Sequence, residues 1–235
     1  FAASDISAIL NYTNKYSLIN EGEFVKITRD VVTFYDSDLN EIEKKSQTAT
    51  WDAAQYQKNG YDHFMLKEIY EQPKAIEGIF DRFYNNCTYN DIDFKSFDKI
   101  HIVACGSAYH AGVTAKYVIE GLARIPVEVD LASEFRYRNP ILEKDTLVVV
   151  ISQSGETADT LEALRQAKQR GFKVLGIVNV VGSSIAREAD NVMYTWAGPE
   201  ISVATTKAYS AQLIALYLLS LKFADVRGKI TKDEL

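Results

Sequence analysis

Three hydroxyl side chains, those of Ser152, Ser154 and Thr157, fall within six residues of the chain. The apolar run Leu147–Ile151 precedes them, and a helical pattern follows them at once. A turn that leads from a buried strand into a helix leaves backbone N–H groups free to bind an anion, and phosphate suits such a site best. Gly155 would let the backbone come close to the ligand. These residues therefore predict a phosphate site.

The same residues allow a second interpretation, an ordinary strand-to-helix turn with Ser154 as the helix N-cap. Three hydroxyls and a glycine within six residues favour the phosphate site over it. Two further turns with polar residues, 105–110 and 198–207, follow predicted strands. Ligands of parallel sheets bind beyond the carboxyl ends of the strands, which is where these turns should lie. A fourth turn, 181–184, is interpreted as plain helix capping.

The remaining candidates for chemistry are isolated residues. The histidines His63, His101 and His110 are scattered, and His101 lies in a strand pattern, so we interpret it as structural. His110 lies at the start of a helix beside the first polar turn. The sequence allows either a ligand-binding role for it or no functional role. Glu200 and Lys207 are interpreted as capping or charge-pairing residues. The dinucleotide, P-loop and H-E-x-x-H patterns are all absent from the sequence, which predicts neither a nucleotide cofactor nor a metal.

Strand and helix patterns alternate from residue 99 onward. The predicted strands are 100–104, 126–131, 147–151, 174–178 and 192–196, and the predicted helices are 109–122, 158–170, 184–188 and 204–223. This alternation predicts an α/β fold, a three-layer α-β-α sandwich with a five-stranded, mostly parallel sheet. Residues 62–85 carry a further helical pattern, and Pro73 predicts a kink or restart within it.

The first 60 residues have a different character. Alternating residues at 23–28 and 31–35 predict a β-hairpin, and the polar segment 44–60 predicts a linker. We therefore expect three regions, 1–43, the linker 44–60, and a domain from 61 to 235.

Composition excludes several classes of function. The chain has 235 residues, 47% of them hydrophobic, and a net charge of −6, which gives no electrostatic reason to expect nucleic acid or an anionic membrane as partner. No apolar run reaches the length of a membrane span. Cys87 and Cys105 lack metal-binding spacing and fit a reducing, cytoplasmic setting.

The stretch from Ser152 to Leu161 resembles the phosphosugar motif of the SIS (sugar isomerase) domain family, which implies that family's flavodoxin-like fold. More closely, residues 60–225 resemble the isomerising glutamine–fructose-6-phosphate aminotransferases, also called glucosamine-6-phosphate synthases. The segments that carry this resemblance are Lys67–Pro73, Ala104–Gly106, Tyr109–Gly112, Gly182–Ser184, Ala197–Ile201, Val203–Ala204 and Thr206–Tyr209. Residues 1–35 resemble the tail of that family's glutaminase domain.

The resemblance implies which residues hold the sugar phosphate. They are Ser107, Ala108, Ser152, Gln153, Ser154, Thr157, Val203 and Thr205. Ser107 keeps the hydroxyl of the family's usual Thr, and Thr205 replaces the usual Ser. Ala108 replaces a Ser and loses a hydrogen bond that contributes about 1.5–3 kcal/mol when the partner is charged.

The resemblance also implies an enzyme that makes glucosamine 6-phosphate from fructose 6-phosphate and glutamine, in amino-sugar biosynthesis and without a cofactor. The family's catalytic base, imine-forming Lys and ring-opening His match no position of this chain, so we assign no catalytic residue. The chain begins with Phe1 and not Met, and we expect it to be an internal piece that binds the phosphosugar without turning it over. A homodimer through SIS domains is implied as well.

Two other functions compete with this interpretation. The alternative is the sugar-phosphate-sensing SIS module of a transcriptional regulator, but such modules follow a basic helix-turn-helix, whereas residues 1–60 show a hairpin and linker of balanced charge. A stand-alone phosphosugar isomerase would lack the glutaminase-like first 35 residues.

Overall fold

A computed structural model of the chain describes residues 1–3, 9, 12–48, 57–85 and 92–231. The chain divides into two compact units, residues 1–59 and residues 60–235. Among the helices of the described residues, none combines the length and the hydropathy that a membrane span requires. Cys87 lies outside the described residues.

The first unit contains short antiparallel strands. They are β1 (Lys15–Tyr16), β2 (Phe24–Ile27), β3 (Val32–Tyr35), β4 (Glu41–Ile42) and β5 (Gln47–Thr48). β2, β3 and β4 form a three-stranded meander, and β1 pairs with β5. The predicted hairpin is therefore confirmed. β5 lies inside the segment predicted as a linker, and the boundaries of that linker stay a prediction.

The second unit is built on a five-stranded sheet in which every neighbouring pair of strands is parallel. Its strands are β6 (Lys99–Ala104), β7 (Val127–Leu131), β8 (Thr146–Ser152), β9 (Lys173–Val178) and β10 (Asn191–Tyr194). Their order across the sheet is β10-β9-β8-β6-β7. The direction of winding therefore reverses between β6 and β8, which is where folds of this order bind ligands.

The central strand β8 shows why the sheet is covered on both faces. All seven of its residues are buried, as a continuous apolar run predicts for a parallel sheet. Alternate side chains enter different cores, because successive residues of a strand point to opposite faces. Val149 and Ile151 belong to one core, and Val148 and Val150 to the other. The three-layer α/β prediction is confirmed.

Helices cover the two faces. They are α1 (Phe64–Tyr70), α2 (Gln72–Asn85), α3 (Gly106–Ala123), α4 (Ala132–Arg138), α5 (Ala158–Gln169), α6 (Ser184–Glu188) and α7 (Lys207–Val226), with a 3₁₀ turn at Phe94–Ser96. Residues of α2, α3 and α7 fill one core, and residues of α4, α5 and α6 fill the other.

Three helix predictions differ from the structure. α3 begins at residue 106 and not 109, and α7 spans 207–226 and not 204–223. α4 was not predicted, because only Ala132 and Phe135 of its seven residues are buried and they give too short a pattern. The expected restart near Pro73 is confirmed, since α1 ends before α2, whose second residue is Pro73. Proline is tolerated there because the first turn of a helix needs no N–H donor.

The close packing of α3 on the sheet yields a first prediction. A Cβ added at Gly112 would lie 2.8 Å from Ile102 Cγ2 and 3.2 Å from Val129 Cγ1. Because both neighbours are β-branched and belong to the sheet, we expect Gly112→Ala to lower the free energy of unfolding by about 1–3 kcal/mol. Urea denaturation measures this quantity directly.

Gly121 provides the matched control in the same helix. An added Cβ at Gly121 meets no atom within 4 Å, so Gly121→Ala should raise stability by about 0.5–1 kcal/mol through helix propensity. Equal stability of the two variants would contradict the packing that the structure shows.

Candidate functional site

The predicted residues meet in one cavity of about 270 Å³. It lies at the carboxyl ends of β6 and β8, where the strand order reverses. Its walls include all eight residues predicted from the sequence, Ser107, Ala108, Ser152, Gln153, Ser154, Thr157, Val203 and Thr205. Cys105, Ile151 and Gln212 also line it and were not predicted. The three polar turns are therefore adjacent in space, although up to 100 residues separate them along the chain.

The loop after β8 orders its own hydroxyl groups. Ser152 Oγ lies 2.8 Å from Thr157 Oγ1 and accepts a hydrogen bond from Gly155 N at 3.0 Å. Ser154 Oγ accepts from Glu156 N at 3.2 Å. Thr157 is the N-cap residue of α5, and so the interpretation of Ser154 as that N-cap is wrong. Because Thr157 makes no side-chain cap bond, the first N–H groups of α5 remain available to a ligand.

The segment after β9 supports this loop from behind. Asn179 N donates to the Gln153 carbonyl at 3.1 Å, and Ile185 N donates to the Gly155 carbonyl at 3.0 Å. The Glu156 carboxylate accepts from Ser184 N at 2.7 Å. Glu156 therefore caps α6, and its negative charge is engaged there. The interpretation of residues 181–184 as plain capping was incomplete, because Ser184 N also bonds to Glu156 of the loop after β8.

Gly155 packs closely against the segment after β9. Its φ of +68° lies in the left-handed region, and an added Cβ would lie 2.0 Å from Ser183 Oγ. The residue does not belong to the cavity wall. Glycine suits this position because the backbone is left-handed there and because the loop packs against Ser183. That the backbone of Gly155 approaches a ligand stays a prediction.

The turn after β6 is the first turn of α3. Cys105 is the N-cap residue, without a side-chain cap bond, so Ser107 and Ala108 carry N–H groups that lack helical partners. The positive end of the α3 dipole therefore lies at the cavity beside that of α5. His110 is exposed and does not line the cavity.

His101 is structural, as the sequence indicated. It is 1% exposed within β6, and its Nε2 lies 2.8 Å from Asp130 Oδ2. Burial lowers the pKa of His101 below its usual value, which keeps the ring neutral at pH 7. The ring therefore belongs to the sheet and takes no part in the cavity.

Two carboxylates hold the turn after β10. Glu68, which is 2% exposed, accepts hydrogen bonds from Ile201 N at 2.6 Å and Ser202 N at 3.2 Å. Glu200 accepts from Thr205 Oγ1 at 2.7 Å. It also accepts from two backbone N–H groups at the start of α7, those of Thr206 and Ala208. Glu200 is therefore a capping residue, as predicted, and it fixes where α7 begins.

Lys207 is a charge-pairing residue, as predicted. Its Nζ lies 2.7 Å from Glu71 Oε2, and Lys67 Nζ lies 3.5 Å from Glu71 Oε1. These ion pairs tie α1 and the α1–α2 junction to the start of α7. The segment around residues 67–71 thus positions the turn that brings Val203 and Thr205 to the cavity.

The cavity wall carries hydroxyl, amide, thiol and apolar side chains. Within the described residues, no acidic side chain lines it and no cluster of three or more His, Cys, Asp or Glu could hold a metal ion. An anion entering the cavity would meet hydroxyl donors and two helix N-termini, with the neighbouring carboxylates of Glu156 and Glu200 engaged by backbone N–H groups.

Known proteins that resemble this chain contain an SIS domain or bear the name of an enzyme of sugar phosphates. A family model described as the SIS domain matches residues 94–222. A glutamine–fructose-6-phosphate aminotransferase (isomerising) of Clostridium tetani is 55% identical over all of this chain, which covers 40% of that protein. The chain therefore spans less than half the length of the curated relatives it matches.

Solved structures share the fold. The C-terminal domain of glucosamine-fructose-6-phosphate aminotransferase from Francisella tularensis superposes with a TM-score of 0.70 at 43% identity, over 76% of this chain and 52% of that one. A putative phosphosugar isomerase from Clostridium difficile gives 0.66 at 25% identity, over 72% of this chain and 48% of that one.

The contact between Gly155 and Ser183 yields a second prediction. We expect Gly155→Ala to lower the free energy of unfolding by about 2–4 kcal/mol, because the new Cβ combines left-handed strain with a collision against a buried side chain. Chemical denaturation measures the loss.

Gly182→Ala is the control, since Gly182 has a φ of +77° but no neighbour within 4 Å of an added Cβ. It should lose only about 1 kcal/mol, from backbone strain alone. If both variants lost the same amount, the loop would not depend on its contact with Ser183.

Proposed function

Since the chain belongs to the SIS domain family, we propose that its cavity holds the phosphate group of a sugar phosphate. One observation supports this proposal more strongly than the others. Three hydroxyl groups and the N-termini of α3 and α5 converge on a cavity at the switch point of a parallel sheet. Free backbone N–H groups and the positive ends of helix dipoles favour an anion, and phosphate accepts many hydrogen bonds at once.

The phosphate would lie against the loop after β8. Ser154 supplies a hydroxyl donor, and Ser107 supplies another from the first turn of α3. Ser152 and Thr157 supply one more between them, because one of these two hydroxyls donates to the other. Each hydrogen bond to a charged group contributes about 1.5–3 kcal/mol. Ala108 offers only its backbone N–H, which should make the site weaker than one with a hydroxyl at that position.

The sugar would extend toward the turn after β10. Gln153, Val203 and Thr205 form that part of the wall. The volume of about 270 Å³ is close to the lower end of the roughly 300–1,000 Å³ that small-molecule pockets occupy. A hexose phosphate such as fructose 6-phosphate or glucosamine 6-phosphate suits a polar cavity of this size.

We infer that the whole protein is an isomerising glutamine–fructose-6-phosphate aminotransferase, which makes glucosamine 6-phosphate from fructose 6-phosphate and glutamine. The names of the curated relatives and the similarity across the full chain support this inference. A cytoplasmic location and a homodimer through SIS domains belong to the same proposal.

Within that enzyme, this chain would bind the substrate and leave proton transfer to other residues. Isomerisation needs a positioned base close to the sugar. Among the described residues, no carboxylate lines the cavity, and Glu156 and Glu200 accept hydrogen bonds from backbone N–H groups instead. The chain therefore supplies recognition of the phosphosugar and not the base.

Calorimetry tests the proposed site with three ligands, glucosamine 6-phosphate, glucosamine and inorganic phosphate. We expect binding of glucosamine 6-phosphate and much weaker binding of glucosamine, because the phosphate supplies most of the hydrogen bonds. Ser154→Ala should weaken binding of glucosamine 6-phosphate about tenfold or more, since it removes a hydroxyl beside a charged ligand.

Ser133→Ala is the matched control, because Ser133 lies in α4 and does not line the cavity. It should bind glucosamine 6-phosphate like the unmodified chain. Equal affinity for glucosamine and glucosamine 6-phosphate would rule out a phosphate site in this cavity.

A further inference from the structure

Three polar residues are buried on α7, and one of them has no partner. Lys207 pairs with Glu71, and Ser220 Oγ donates to the Leu216 carbonyl at 2.7 Å. The side chain of Gln212 makes no hydrogen bond to any part of the chain that the structure describes, although the residue is only 3% exposed. Gln212 is also absent from the side-chain groups that are fully buried without a hydrogen bond in the described residues, so its amide stays accessible to solvent or to a ligand.

The surroundings of Gln212 on the helix are apolar. Ala208, Ala215 and Leu216 lie three or four residues away on the same face, and each is at most 1% exposed. None of these side chains has a hydrogen-bonding group. A leucine or methionine would fit this apolar row without any loss of hydrogen bonding, and so packing does not explain a glutamine here.

The side chain of Gln212 borders the cavity. The residue forms part of the cavity wall together with Ser152 and Thr157, and its small exposed fraction is therefore the part that faces this space. An amide that bonds to no described residue, on a residue that lines a cavity, is available to form hydrogen bonds with a ligand there.

The hydrogen-bonding chemistry of the amide indicates which kind of ligand group it would bind. A side-chain amide has two N–H donors and a carbonyl acceptor. A phosphate dianion has acceptors only and would leave the amide carbonyl unpaired, whereas a hydroxyl group both donates and accepts. We propose that Gln212 is a further ligand-binding residue, whose amide binds a hydroxyl group of the sugar. This inference rests on the proposed sugar-phosphate function of the cavity.

Such a contact would make Gln212 a determinant of specificity. A site that holds a hydroxyl through a buried amide rejects ligands that lack the hydroxyl, because the amide is then left without a partner. Hydroxyl-bearing sugar phosphates would gain from the contact, and inorganic phosphate would not. The two ligands therefore separate the role of Gln212 from that of the loop after β8.

The test compares glucosamine 6-phosphate with inorganic phosphate by calorimetry on the full chain and on Gln212→Met, which has nearly the same length but no amide. We expect Gln212→Met to bind glucosamine 6-phosphate about three- to tenfold more weakly, the effect of one neutral hydrogen bond. Its affinity for inorganic phosphate should be unchanged, and its melting temperature should not fall. Gln212→Leu serves as a second variant if the methionine protein does not fold.

The outcomes are distinguishable. Unchanged affinity for glucosamine 6-phosphate would mean that an ordered water completes the amide, and would overturn the inference. Equal losses for both ligands, or a lower melting temperature in both variants, would show that the amide supports the fold and not the sugar. If the unmodified chain bound no glucosamine 6-phosphate at all, the proposed function itself would fail, and this inference with it.

Discussion

The parallel pairing of β6 with β8 is the constraint on which the site depends. Its register places Ala104 opposite Ile151, so the two strands end side by side. Their following turns must then leave the sheet at the same edge, and each turn leads into a helix whose positive end faces the gap. The geometry of the proposed anion site is thus a consequence of strand register, and the buried side chains of β8 on both faces help to fix that register.

Carboxylates provide the supports around this gap. Glu68 and Glu200 accept hydrogen bonds from backbone N–H groups of the turn and helix start that carry Val203 and Thr205. Glu156, in the loop after β8, accepts one from Ser184 N at the start of α6. Buried or partly buried N–H groups need acceptors, and a carboxylate can satisfy two or three of them at once. In these contacts the three carboxylate charges face backbone N–H groups. The acidic residues next to the site therefore stabilise its shape while its interior remains suitable for an anion.

The sequence predicts those features that depend on local patterns, and it fails where function depends on distant neighbours. The apolar run of β8 and the hydroxyls after it predicted both a buried strand and a ligand turn. The contact of Gly155 with Ser183 was missed, because that side chain is 28 residues away in the sequence. Gln212 could not be recognised for the same reason, since a single polar residue in a helical pattern has no meaning until its burial and its cavity are known.

The most direct measurement is a crystal structure of the chain with glucosamine 6-phosphate bound. The account predicts the phosphate in the cavity between the starts of α3 and α5, with its oxygens within about 3 Å of the hydroxyl groups of Ser152, Ser154 and Thr157. A phosphate bound at another edge of the sheet, or a sugar phosphate placed with its phosphate away from these hydroxyls, would contradict it.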